Sequence, residues 1–170
     1  MIKNKKILLD AVKKAILNEN FKLSGFSEKK GIFVTLKKQG TLRGCIGFIE
    51  PIYPLDKALV EAARLAAFED PRFPPVRKEE VNGLEVEISI LSKPFLVKNT
   101  KEIKLGRDGL IIEQGYNKGL LLPQVFTEFK IKFIKDALAM TCEKAGLPED
   151  AWKSKLTKIY AFKAEIISKT

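Results

Sequence analysis

The segment from residue 41 to residue 47 holds residue types that can take part in chemistry, at a spacing that lets them act together. Side chains alternate along a β-strand, so Arg43 and Cys45 share one face. A guanidinium beside a thiol lowers the pKa of the thiol and favours the thiolate. The sequence therefore predicts a reactive or ligand-contacting cysteine at Cys45, with Arg43 holding an anionic group.

The glycines of this segment bear on the space around the thiol. Gly47 is expected to leave open space beside the sulfur, whereas Gly44, on the opposite face, allows another element to approach the backbone. Leu42 and Ile46 lie on that opposite face and are expected to point to the core. A second interpretation stays open, in which Cys45 is a small apolar residue and the glycines mark a β-bulge.

Histidine is absent from the sequence, which removes the usual general base and the usual partner of a nucleophilic cysteine. A nucleophile at Cys45 would need a carboxylate as its base, and Glu50, Glu69 and Asp70 are the nearest in sequence. The other cysteine, Cys142, is far away and lies on an apolar stripe, so both thiols are expected to be free. No metal site and no cofactor is expected.

A stiff loop over residues 70–76 is the second candidate segment, because its three prolines fix φ and suppress helix. Asp70 and Arg72 in this loop are candidate ligand-binding residues. The alternative is that the two form an ion pair at the end of a helix. Arginine is rare beside lysine in this chain, which favours a role for a forked donor at Arg43 and Arg72.

Hydrophobic periodicity predicts the elements that position these residues. Helices are expected over residues 5–17, 55–68 and 127–145, the first with Asn4 as its N-cap and the last with Gly146 at its C′ position. Strands are expected over residues 31–37, 41–48, 84–90, 108–113, 119–122 and 156–167. Hairpins separated by helices, without a βαβ rhythm, indicate an α+β fold with a mainly antiparallel sheet and flanking helices.

Composition limits the classes of partner. A formal net charge of +10 suits a polyanionic partner, but the lysines are scattered, without a run of like charge and without interleaved aromatic residues. A solvated lysine-rich surface is therefore favoured over a nucleic-acid face, which stays possible. The chain has no apolar run long enough to cross a bilayer and no signal-peptide pattern, so we expect a cytoplasmic protein with no membrane partner.

The hexapeptide at residues 42–47 resembles the six-residue signature of the AMMECR domain family. Other segments resemble family blocks in the same order, at residues 33–36, 66–68 with 70–75, 85–92, 119–125, and 144–148 with 151–152, so the resemblance covers nearly the whole chain. Family members often carry a histidine where this chain has Arg107 and Asp108. A mechanism that depends on that histidine is not open to this chain.

The resemblance implies one AMMECR-type domain over residues 1–170, with two lobes and a cleft near the signature. We expect a small molecule or a protein as partner, and a ligand-binding cleft that is catalytic if Cys45 acts as a nucleophile. Its binding residues are predicted to be Arg43, Gly44, Gly47, Asp70, Arg72 and Gln124.

The resemblance does not imply a settled activity. Some relatives are encoded beside, or fused to, Memo-type and radical-SAM proteins, which implies a modification pathway. The alternative function is a partner-binding module without chemistry of its own.

Overall fold

The structure is a computed structural model that describes residues 5–169. The chain forms two compact units. The first contains the residues up to Leu91 together with the segment from Glu165, and the second is Ser92–Ala164. The predicted N-cap at Asn4 lies outside the described residues.

The first unit combines a three-stranded antiparallel arrangement with two helices. The strands are β1 (Ile32–Lys38), β2 (Thr41–Phe48) and β3 (Leu84–Leu91), and the helices are α1 (Lys5–Ile16) and α2 (Leu55–Phe68). Strand β1 is central, since it pairs with β2 on one side and with β3 on the other. Strand β2, which carries the signature, is therefore at an edge.

A two-residue turn fixes how β1 and β2 face each other. Gln39 and Gly40 both have positive φ, at 52° and 75°, which is the geometry of a hairpin turn that matches the twist of its strands. The resulting register places Thr35 opposite Cys45 and Phe33 opposite Gly47. The predicted signature strand is confirmed.

Helix α2 packs against the hairpin at very short range. Its buried face is built largely from alanine, and Ala62, Ala63 and Ala66 are at most 1% exposed. A Cβ added at Gly44 would overlap the carbonyl oxygen of Ala66 and lie 3.1 Å from its carbonyl carbon. The predicted close approach at Gly44 is therefore confirmed, and Ile46 on the same face packs against the core of this unit.

The second unit is also an antiparallel sheet with helices. Its strands are β4 (Phe95–Leu96), β5 (Asp108–Gln114), β6 (Asn117–Leu121) and the part of β7 (Lys158–Ser168) up to Ala164. Strand β7 pairs with β4 and with β5, and β5 pairs with β6. Helices α3 (Pro123–Glu128) and α4 (Ile134–Lys144) complete the unit, so the predicted α+β fold with a largely antiparallel sheet is confirmed.

The prediction of one helix over residues 127–145 is wrong. The chain forms α3 and α4 with a corner between them, because Lys130 takes a positive φ of 54° and residues 129–133 leave the helical path. Phe133, which lies within that predicted helix, is 61% exposed. The predicted end is right: Gly146 has a φ of 72°, and the Leu147 N–H donates to the Cys142 carbonyl in a Schellman arrangement.

Candidate functional site

The Cys45 thiol lies on the face of the β1–β2 hairpin opposite α2. Its Sγ is 3.2 Å from Oγ1 of Thr35, the residue directly across on β1. The backbone N–H of Cys45 donates to Asp70 and not to β1, so this is a non-hydrogen-bonded pair, the type whose side chains come closest. Glu87 of β3 stands opposite Thr35 on its other side. We call this side, with Phe33, Thr35 and Cys45, the signature face.

Burial raises the pKa of the Cys45 thiol above its ordinary value. The hydrogen bond with Thr35 and the charge of Arg72 lower it, but by less, and the carboxylates of Asp70 and Glu87 raise it further. The expectation that Arg43 activates this thiol is therefore wrong. The cation that acts on the sulfur is Arg72, from the proline loop.

The Arg43 guanidinium makes its hydrogen bonds to other residues of the first unit. Its Nη1 donates to the carbonyl of Pro74 at 2.8 Å and its Nη2 to that of Pro75 at 3.3 Å. Its Nε and Nη2 also bind the two carboxylate oxygens of Glu80, at 3.4 and 3.3 Å. With its side chain only 13% exposed, Arg43 holds a carboxylate of its own chain, and its role in binding a ligand's anionic group stays a prediction.

Glu80 is a residue of this site that the sequence analysis did not select. Besides Arg43, its carboxylate accepts hydrogen bonds from the Arg77 backbone N–H at 3.0 Å and from Lys38 Nζ at 2.9 Å. These donors, the Arg77 N–H first, lower the pKa of Glu80 to about 2. Glu80 is 37 residues from Arg43, and no spacing rule relates positions so far apart. The pair ties β2 to the short helical turn Lys78–Gly83.

Asp70 and Arg72 form a clamp on the edge of β2. Asp70 Oδ1 accepts from Arg72 Nε at 2.9 Å, and Oδ2 accepts from Arg72 Nη2 at 2.7 Å and from the Cys45 N–H at 2.9 Å. Arg72 Nη2 also donates to the Cys45 carbonyl at 3.4 Å. The clamp therefore takes up both outward-pointing backbone groups of Cys45. The ion-pair alternative for these two residues is thus what the structure contains.

The two members of this clamp differ in exposure. The Asp70 side chain is 2% exposed, and the hydrogen bonds from Arg72 hold the pKa of its carboxyl well below the usual range. The Arg72 side chain is 51% exposed. Its Nη1 makes no hydrogen bond within the described part of the chain, while its guanidinium carbon lies 5.4 Å from the centre of the Phe73 ring. Arg72 is therefore an oriented cation with donors left for a further group.

The proline loop that carries this cation is anchored at both ends. Asp70 binds β2, and the Val76 N–H donates to the Ala67 carbonyl at 2.8 Å. Between these anchors, Arg43 holds the carbonyls of Pro74 and Pro75. The signature strand and the proline loop are thus joined by hydrogen bonds at several points along the loop.

Gly47 does not leave open space beside the sulfur. A Cβ there would overlap the carbonyl oxygen of Ile32 and lie 2.6 Å from both Cα and Cγ of Phe33, so the backbone of β1 and the Phe33 side chain occupy this position. That prediction is wrong, since the opposing strand supplies the bulk that the glycine lacks. Gly47 therefore lies against the Phe33 side chain on the signature face.

The structure brings six predicted site residues together in the first unit: Arg43, Gly44, Cys45 and Gly47 on β2, and Asp70 and Arg72 hydrogen-bonded to the same strand. Gln124 belongs to α3 of the second unit, and its role stays a prediction. Cys45 and Cys142 are free thiols, as expected.

Neither a metal site nor a membrane span is found in the described residues. Residues 5–169 contain no group of three or more cysteine or carboxylate side chains placed to hold a metal ion. Over the same range, none of the helices is long and apolar enough to span a bilayer.

Similar proteins have the same sequence pattern and fold. The family model described as AMMECR1 matches residues 4–167. A protein of Pyrococcus furiosus is 53% identical over 149 residues, covering 82% of this chain and 70% of that protein, and one of Methanocaldococcus jannaschii is 53% identical over 149 residues, covering 83% and 74%.

A solved structure agrees with these matches. The crystal structure of an uncharacterized protein from Pyrococcus horikoshii superposes with a TM-score of 0.89 at 43% identity, covering 95% of this chain and 89% of that one. The match of the family model over nearly the whole length, together with these identities, shows that the chain belongs to the AMMECR1 family.

Proposed function

We propose that the signature face binds a small or extended ligand that carries an anionic group, and that Arg72 makes the contact with that group. The observation that carries this proposal is the state of the Arg72 guanidinium. It is held in a fixed orientation by Asp70, it is half exposed, and its Nη1 keeps donors that the described chain does not use. A preorganised forked donor of this kind suits a carboxylate or phosphate group.

Cys45 serves this site as a neutral contact. Its raised pKa leaves the thiol protonated at neutral pH, and a protonated thiol is a poor nucleophile. The sulfur lies beside Thr35 Oγ1, so the pair offers a ligand one polar hydroxyl and one polarizable atom at close range. Binding at the signature face then needs no covalent step.

The remaining signature residues support the contact without making it. Arg43 holds the proline loop in place by donating hydrogen bonds to two of its carbonyls. Because Gly44 has no side chain, α2 can pack directly against the backbone of the strand, and because Gly47 has none, the Phe33 side chain can lie against it. Asp70 orients Arg72 through two parallel hydrogen bonds. Each of these residues helps to position either Arg72 or the signature face beside it.

A cytoplasmic modification pathway is the cellular setting that we propose. The family resemblance supports this setting, because some relatives are encoded beside or fused to Memo-type and radical-SAM proteins. An anionic or extended substrate handed between proteins of such a pathway fits a binding face better than a self-contained active site.

Titration with inorganic phosphate, followed by the backbone amide resonance of Cys45, tests the proposal. The Cys45 N–H donates to the clamp, so its resonance reports on Arg72 directly. We expect a saturable shift in the wild-type protein and its loss in Arg72→Gln. Arg107→Gln is the matched control, because Arg107 makes a similar paired contact with the adjacent Asp108 and is 41% exposed.

The control decides how a response is interpreted. Retention of the shift in Arg107→Gln supports a specific contact at Arg72. Equal losses in both variants, or an unchanged response in Arg72→Gln, would mean that phosphate is attracted by the net charge of the chain alone, and the proposal would fail. Arg72→Lys keeps the charge without the fork and is expected to bind more weakly than the wild type.

A partner-binding module is the second candidate, and one observation favours it. Ile52 and Tyr53 are 57% and 47% exposed just beyond the end of β2, which leaves apolar surface beside the signature. This function predicts no saturable phosphate response at Cys45. It also predicts that Ile52→Glu weakens binding of a purified Memo-type protein, measured by titration calorimetry, while Lys93→Glu at an exposed position of the second unit does not.

A further inference from the structure

The corner between α3 and α4 exposes two aromatic rings. Phe129 directly follows α3 and is 64% exposed, and Phe133 directly precedes α4 and is 61% exposed. Phe133 occupies the N-cap position of α4 but has no side chain able to cap it. Neither ring contributes much to the core of the unit or to the ends of the helices, so the fold does not account for them.

Lysines alternate with these rings at the corner. Lys130, Lys132 and Lys135 are exposed, while Ile131 and Ile134 pack against the core of the second unit. The fold therefore turns the isoleucines inward and presents three cations together with Phe129 and Phe133. The sequence-based statement that basic and aromatic residues do not interleave is wrong for this segment.

Lys130 adds a second peculiarity to the corner. Its φ of 54° lies in the left-handed region, at the position after a helix where glycine is favoured. A glycine would make the same turn with less strain. An ionic role on the exposed side gives a reason for the lysine at this position.

We propose that this corner, residues 129–135, is a contact with an anionic lipid surface. The two phenylalanine rings enter the boundary between headgroups and acyl chains, and the three lysines pair with lipid phosphates around them. Amphipathic helices that lie in a membrane interface carry lysines on one face and residues such as phenylalanine on the other, and the corner presents the same residue types outside a helix. The proposal departs from the expectation that the protein has no membrane partner.

Two features of the corner favour lipid over other polyanions. The exposed basic residues are all lysine, a residue depleted from protein–protein interfaces, where arginine is enriched. Single-stranded nucleic acid stacks its bases on open ring faces along a basic groove, whereas Lys135 Nζ lies over the Phe133 ring, 5.7 Å from its centre. Insertion into a lipid surface does not require stacking on the ring faces, and exposed side chains that project from the protein can enter it.

Cosedimentation of the full chain with vesicles at low ionic strength tests this proposal. The vesicles are pure phosphatidylcholine in one arm and contain phosphatidylglycerol in the other. We expect binding only in the second arm, and a loss of about fivefold for each of Lys130→Gln and Lys132→Gln, since a lysine near an anionic surface contributes about 1 kcal/mol. Phe129→Ala with Phe133→Ala should reduce binding further than either lysine change.

Matched controls distinguish vesicle binding by the corner from non-specific attraction by the net charge of the chain. Lys93→Gln removes one exposed lysine elsewhere in the second unit, and Tyr116→Ala removes an aromatic side chain that is fully exposed at the turn between β5 and β6. Both controls should bind like the wild type, and all the changed positions are exposed, so circular dichroism should show intact folds.

Three results would overturn the inference. The first is no binding to vesicles that contain phosphatidylglycerol. The second is a loss in Lys93→Gln equal to that in Lys130→Gln. The third is binding to single-stranded DNA or polyglutamate that depends on Phe129, without binding to the vesicles.

Discussion

Substitution of Gly44 by alanine tests how closely α2 approaches the signature strand. The added Cβ would lie 3.1 Å from the Ala66 carbonyl carbon and closer still to its oxygen, whereas ordinary contact begins at 3.4 Å. The obstacle is helical backbone, which cannot rotate away as a side chain can. The strand and α2 must therefore separate along a face where Ala62 and Ala63 are fully buried.

The magnitude follows from two opposing effects. Forcing extra volume into a packed interface costs about 1–3 kcal/mol and sometimes more, and the rigid backbone places this case at the upper end. Replacing glycine by alanine restricts the unfolded chain, which returns about 0.4–1 kcal/mol. We expect a net loss of about 2 kcal/mol in the free energy of unfolding of the first unit.

Native-state hydrogen exchange of the α2 amides measures this loss in the unit concerned, independently of the second unit. Gly83→Ala is the control, because a Cβ at Gly83 meets nothing within 4 Å and its φ is not positive. The reasoning is refuted if the protection of α2 in Gly44→Ala equals that in Gly83→Ala.

Three further predictions concern the ionisable groups of the first unit. Because the pKa of Glu80 is lowered to about 2 from 4.5, its contribution to stability is complete above pH 4.5 and is lost as the pH falls toward 2, so the stability difference between the wild type and Glu80→Gln in urea titrations should shrink over that range. Alkylation of Cys45, resolved by peptide mass spectrometry, should show a midpoint above the free-thiol value of about 8.5, and a midpoint below it would contradict the neutral thiol. Thr35→Val removes a hydrogen bond that lowers the pKa of Cys45, so it should move that midpoint upward, and a downward shift would reverse the assignment.

Local sequence rules predicted most of the signature strand and its surroundings. The strand over residues 41–48 and the helix over residues 55–68 each depend on neighbours in sequence, and each is found in the structure. The predicted alternation along β2 is interrupted by a register shift, in which Leu36 pairs with Gly44 and Lys37 with Leu42, so that no residue of β1 stands opposite Arg43. The close approach at Gly44 followed from the same reasoning, since a glycine on a core-facing side of a strand indicates contact with another backbone.

The predictions that failed depend on partners distant in sequence. Arg43 was assigned to Cys45 because strand alternation predicts a shared face for the two, but its carboxylate partner, Glu80, lies in another element 37 residues away. The space at Gly47 is filled by Phe33 of the facing strand. The corner at Lys130 was missed because a positive φ at a lysine has no signal in the periodicity of the surrounding apolar residues.

The side-chain Nε–Hε resonances of Arg43, Arg72 and Arg107 test the central claim most directly, when all three are followed in one phosphate titration of the wild-type protein. The claim is that Arg72 meets the anion, while Arg43 is occupied by Glu80 and the proline carbonyls. We predict a saturable shift at Arg72, with Arg43 and Arg107 unchanged. A shift at Arg43 without one at Arg72, or equal shifts at all three, would contradict the account.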